Sequence, residues 1–209
     1  MLASIQKEIE STYRIECPFL VEDFLLDESH RKDYLSHAPW LAHSQEALLV
    51  EQSPEELHVG LLFDSEMLTW SQTQDWNDLE TLDVKKIGPL IEGVSHFVYL
   101  MWRAHQEQPV TQLELELQAE VDKFIIFSRE LSPERADQVH QDLFDEVAWL
   151  KSLRNEEKVR YETALKLAAR YCRFIQGHFL TPHRAEALFP EIRSFYRMSQ
   201  TEKIRHIQN

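Results

Sequence analysis

The sequence predicts a mainly α-helical protein, an antiparallel helical bundle with a small β-hairpin packed on one side. Three observations carry that prediction. Only four glycines occur in 209 residues, which argues against a loop-rich or all-β architecture. Apolar residues recur at helical spacing through the C-terminal half. The connections between these periodic segments are a few residues long, which makes neighbouring helices antiparallel. A single domain over 1–209 follows, in which residues 1–82 hold a hairpin at about 46–63 and residues 83–209 form the bundle.

Ile5 and Ile9, one turn apart, mark a short helix over 3–14. Residues 16–45 read as irregular with short helices, interrupted at Pro39-Trp40. Two apolar runs in ALLVEQSPEELHVGLLF flank a turn at Ser53-Pro54, as a hairpin requires, and Leu57, Val59, Leu61 and Phe63 alternate with their neighbours. The following DSEMLTWSQTQDWNDLE is polar and reads as a long loop pinned by Trp70 and Trp76. Pro89 suits the first turn of the next helix. Thr111 with Glu114 is a capping box that starts another. Ser132-Pro133 opens a third, carrying Val139, Leu143, Val147 and Leu150. Asn155 opens a fourth along Tyr161, Leu165, Ala168, Cys172 and Ile175, with Gly177 as its stop. Thr181-Pro182 begins a fifth, and Ser199 with Glu202 caps a last short helix.

The totals exclude several functions. Thirty-six acidic against 22 basic side chains give a formal charge of −14, a field that repels phosphate backbones and anionic membrane surfaces. The basic residues are densest in the C-terminal quarter, at Arg184, Arg193, Arg197, Lys203 and Arg205, where they read as a solvated helix face. Cys17 and Cys172 offer no disulfide framework, and neither a signal peptide nor a membrane-length apolar run is evident. A cytoplasmic protein without nucleic-acid or membrane partners is the expectation. Nucleotide cradles and nucleophile elbows are missing too: no GxGxxG, P-loop or GxSxG occurs.

The helical hairpin Ile87–Arg129 is where chemistry could converge. Glu92 and His96 lie four apart on its first helix, and Glu116 and Glu120 four apart on its second, so each pair shares a helix face. On the first helix, Glu92, Ser95, His96, Tyr99 and Arg103 lie opposite the apolar stripe. Gly93 and Ser95 are small enough to admit another element against that side. Counting back from a turn near residue 108 sets His96 level with Glu120, and Glu120 falls inside the apolar stripe of its own helix. Carboxylate and imidazole groups so placed could bind zinc, manganese or iron, with His140 and Glu146 as additions. Against this, neither HExxH nor the helical Glu-x-x-His pair of di-iron bundles is present.

Two functional expectations follow. The first is a non-enzymatic adaptor or regulatory protein that engages a protein partner through its acidic surface, with Trp70 and Trp76 as anchors. The second is a metal-dependent hydrolase or oxidase built on Glu92, His96, Glu116 and Glu120, with a divalent metal as cofactor.

Overall fold

The computed structural model describes residues 1–37, 44–53, 56–76, 84–128, 133–145, 155–180 and 185–209. Helices dominate, with one two-stranded antiparallel sheet, as the sequence predicts. Among the described residues no helix is long and apolar enough to cross a membrane.

Helix α1 (Leu2–Tyr13) forms where Leu2, Ile5, Ile9 and Tyr13 recur every three to four residues, and all four are buried. It ends at Arg14 in the left-handed region, φ 49°. Arg197 holds that turn by donating to the Tyr13 and Arg14 carbonyls at 3.0 and 3.1 Å, and Arg193 Nε donates to the Thr12 carbonyl at 2.8 Å. Two members of the basic C-terminal quarter are therefore not simply solvated. They satisfy carbonyls that a helix end leaves unbonded.

A 3-10 turn (Val21–Phe24) and α2 (Glu28–His37) lead to strands β1 (Glu46–Gln52) and β2 (Leu57–Phe63), which pair antiparallel with Glu46 opposite Phe63 and Val50 opposite Val59. The expected alternation of burial is not kept: Leu57 and His58, at the turn end, are both exposed. Gly60 through Phe63 are all buried, because Leu25 bridges to Leu61 and the helix Val84–His105 lies on the other side. The expected long loop after Asp64 is instead helix α3 (Ser65–Ser71). Asp64 caps it by accepting from the N–H groups of Glu66 and Met67, a start signal that the polar composition obscured. Trp70 lies on this helix.

The bundle comprises α4 (Val84–His105), α5 (Gln112–Ser128), α6 (Pro133–Phe144), α7 (Asn155–Phe179), α8 (Ala185–Arg197) and α9 (Gln200–Gln208). Both capping boxes form, at Thr111–Glu114 and Ser199–Glu202. Pro89 lies inside α4 rather than in its first turn, so the helix begins earlier than the proline suggested. Gly177 does not stop α7, which continues to Phe179; nothing lies near it, and its backbone tolerates the helix. Val147, Leu150, Thr181 and Pro182 lie outside the described residues. Helix α5 is the central one: it packs on α4 and α7, and Leu117 through Ser128 are buried almost without a break. Both cysteines are free, Cys172 buried within α7 and Cys17 half-buried.

A polar network sits inside this core. Asp122 on α5 accepts from Tyr13 (2.5 Å), Ser95 (2.5 Å) and Gln118 (2.7 Å). Gln118 in turn accepts from Lys203 Nζ at 2.6 Å, and the ammonium lies 4.4 Å from the Tyr99 ring centre. These bonds tie α1, α4 and α9 to α5. Burial pushes the Lys203 ammonium down to about 7, against the attraction of Glu114 and Asp122. A lysine of ordinary pKa near 10.4 in the unfolded chain then binds more protons than the folded one between about pH 7 and 10. Stability should rise with pH across that window. We expect urea unfolding to show the wild type gaining roughly 2–4 kcal/mol on Lys203→Met from pH 7 to 10, since one proton contributes at most about 1.4 kcal/mol per pH unit. A difference that stays flat across the window would show that the buried ammonium is not destabilising.

Candidate metal centre

The side of α4 that could have faced water faces inward. Ser95, His96, Tyr99 and Arg103 are buried, and His96 is 5% exposed. Gly93 makes this arrangement accessible to the hairpin: a Cβ there would stand 2.6 Å from Phe63 Cε1 and 3.1 Å from Glu46 Oε2. The first turn of β1 and the end of β2 therefore rest directly on the α4 backbone, and Glu46 is delivered beside His96.

Glu92 and His96 from α4 meet Glu116 from α5, and one ligand atom of each lies within 4.8 Å of the others. His96 Nε2 is 3.5 Å from Glu116 Oε2, and its Nδ1 is 3.7 Å from Glu46 Oε2. Glu120 does not meet His96 as the count from the turn predicted. The connection falls where the count set it, with α4 ending at His105 and α5 beginning at Gln112; Glu107 turns the chain in the left-handed region (φ 54°), its N–H bonding the Ala104 carbonyl and the Gln108 N–H bonding the Arg103 carbonyl. The side chains do not pair straight across it: Ser95 meets Asp122, while the neighbouring His96 reaches Glu116 rather than Glu120. Glu120 instead accepts from Lys123 Nζ at 2.8 Å, and Glu92 accepts from the same ammonium at 2.7 Å.

Helix α7 closes the other side. Arg160 Nε is 3.7 Å from Glu116 Oε1. Burial, then the charges of Glu116, Glu92 and Glu46, push the Tyr161 phenol far above its ordinary pKa. Electrostatics within the cluster are strong and opposed. Burial holds the Glu46 carboxyl above its usual range. Burial works the same way on Glu92, but Lys123 and His96 outweigh it and lower that carboxyl. For His96, burial disfavours the cation, yet Glu116 and Glu46 raise its pKa well above 6.5. Lys123 is held firmly charged, since Glu120 and Glu92 overcome its burial.

The remaining anticipated residues are elsewhere. His140 is bonded to the Ala169 carbonyl (3.1 Å) and to Arg173 (3.0 Å) between α6 and α7, so it does not join this group. Glu146 lies outside the described residues. Trp70 and Trp76 are partly buried and pack on the hydrophobic core, so part of each indole surface is not offered to a partner. Sequence reasoning missed Glu46, Lys123 and Arg160. Gly93 and Ser95 did signal that another element approaches α4 here, but nothing in the spacing named Glu46 as the side chain that element brings. Lys123, set between Asp122 and the apolar run from Phe124, was the legible sign of a buried cation.

What the arrangement can hold follows from its distances. Lys123 sits at hydrogen-bond length from its carboxylates, whereas His96 does not: its Nε2, the Oε2 of Glu46 and the Nε of Arg160 are buried without a hydrogen bond. An imidazole nitrogen and a carboxylate oxygen bound to one tetrahedral ion at about 2.1 Å would be roughly 3.4 Å apart. The 3.5 Å between His96 Nε2 and Glu116 Oε2 fits that edge better than it fits a hydrogen bond. Charge agrees as well. A metal ion would displace the His96 proton, and with the imidazole then neutral the carboxylates of Glu46, Glu92, Glu116 and Glu120 would face one ammonium and one guanidinium, leaving two negative charges for a divalent ion to neutralise. Glu46 lies 3.7 Å from Nδ1, near enough to become an outer carboxylate to that imidazole were a metal bound at Nε2. Compared with known protein families, with curated proteins and with solved structures, the chain matches none of them; the centre is read from its own geometry.

Proposed function

We propose that this protein is a metal-dependent enzyme that holds a divalent ion on Glu92, His96 and Glu116, with Glu46 orienting the imidazole from the hairpin. The observation that carries the reading is His96 Nε2: it is buried, has no hydrogen bond, and points at carboxylates spaced as ligands around one ion. A donor set of carboxylates with one imidazole suits manganese, iron(II) or zinc better than the softer ions that thiolates select. Such an ion would supply Lewis-acid polarisation of a substrate oxygen or an activated water, the chemistry common to metal hydrolases and oxidases. A role in binding a protein partner rests on the acidic surface; Trp70 and Trp76, its proposed anchors, are partly committed to the core.

Elemental analysis of untagged protein, followed by titration with manganese and zinc, tests the proposal. One ion per chain is expected. His96→Ala and Glu116→Gln should each weaken binding by at least about 100-fold, and Glu46→Gln by about 10–100-fold, the range typical of outer partners of metal ligands. Folded wild-type protein that takes up neither ion at millimolar concentration would end the metal reading.

A further inference from the structure

The four glutamates of the cluster surround two cation positions, not one. Glu92, His96 and Glu116 define the first. Glu92 and Glu120 define the second, and there the Lys123 ammonium lies 2.7 Å from Glu92 Oε2 and 2.8 Å from Glu120 Oε1. Glu92 is common to both, the position that a bridging carboxylate takes between paired metal ions.

We propose that the centre accepts a single metal ion because the Lys123 ammonium permanently holds the second cation position. The inference rests on the metal reading above and adds its stoichiometry. Lys123 is 7% exposed and stands between Asp122 and Phe124 on the most buried stretch of α5, where a lysine persists only with carboxylate partners. Its stem runs past Gly88 of α4, where a Cβ would meet Lys123 Cδ at 3.8 Å. Carboxylate oxygens about 2.7 Å from an ammonium need to close by only about half an ångström to reach a metal. The second position is thus shaped for a cation and already filled by one. The ammonium also keeps one oxygen of Glu92 occupied and so limits what that residue offers the metal.

Manganese(II) titration monitored by electron paramagnetic resonance separates the outcomes. The wild type should bind one ion and give the six-line spectrum of an isolated manganese. Lys123→Ala, which leaves Glu92 and Glu120 without their cation, should bind two ions and show a spin-coupled spectrum from the shared Glu92. If this variant folds only when manganese is present, two equivalents should be required. Lys123→Met/Glu120→Gln removes the ammonium and a ligand of the second position together, and it should bind one. Two ions in the wild type, or a single uncoupled ion in Lys123→Ala, would overturn the inference while leaving the metal reading intact. A Lys123→Ala chain that manganese fails to refold would also overturn it, because the second ion should replace the lost charge. A wild type that binds none removes both.

Discussion

Asp122→Ala should destabilise the fold by about 2–4 kcal/mol at pH 7.5. The change strands three buried donors, on Tyr13, Ser95 and Gln118, each costing about 1–3 kcal/mol. It also relieves a penalty, because burial holds the Asp122 carboxyl at about 6, against the hydrogen bonds from Ser95, Tyr13 and Gln118. A shift from an ordinary 3.9 to about 6 makes the ionised form cost roughly 3 kcal/mol. The sign of the pH effect follows. A carboxyl whose pKa is raised on folding contributes stability that is fully present below about pH 4 and lost as pH climbs through 6. The loss in Asp122→Ala should therefore be larger near pH 4.5 than at pH 7.5. Asp122→Asn keeps the shape and one acceptor, and the Ser95 hydroxyl can turn to accept from its amide, so its cost should stay within about 1.5 kcal/mol. Chemical denaturation at the two pH values measures all of this. An alanine variant equally destabilised at both would mean that Asp122 is not held protonated at the lower pH.

Gly93→Val should cost about 3 kcal/mol and loosen the hairpin from α4. In most helices replacing glycine stabilises, by about 0.5–1 kcal/mol for alanine. At Gly93 sterics win, since the first added atom already lies 2.6 and 2.7 Å from two carbons of the buried Phe63 ring. Gly177 supplies the contrast within the same protein: it lies in α7 with open space around it, and Gly177→Ala should gain about 0.5–1 kcal/mol. Because Glu46 pairs with Phe63 across the hairpin, Gly93→Val should also reduce metal affinity to about the level of Glu46→Gln. Thermal denaturation and manganese titration of the three variants decide the point. A Gly93→Val protein as stable as wild type would mean that the hairpin does not press on α4.

The fold was legible because its signals are local. Capping boxes at Thr111 and Ser199, the apolar seam of α7 and the two apolar runs of the hairpin each fix an element from a few adjacent residues. The misread points share another cause. Gly177 and Pro89 are punctuation that a helix tolerates: α7 runs through the first to Phe179, and α4 begins five residues before the second. The Asp64 cap was visible but lay in a polar stretch that resembled a loop. For the centre, spacing along α4 and α5 placed Glu92, His96, Glu116 and Glu120 on facing sides. Which side chains meet, however, depends on how each helix is rotated about its axis, and although the connection lies near residue 108 as counted, His96 meets Glu116 rather than Glu120. Glu46 was out of reach because no periodicity within one helix reports which strand will cross it.

Anomalous diffraction at the manganese edge, from crystals of the wild type grown with manganese, addresses the centre itself. The account predicts one peak per chain, about 2.0–2.3 Å from His96 Nε2 and from carboxylate oxygens of Glu92 and Glu116, with the Lys123 ammonium still between Glu92 and Glu120. A crystal that contains manganese but shows no peak between α4 and α5 would contradict it and return His96 to service as a buried ion-pair partner of Glu46 and Glu116.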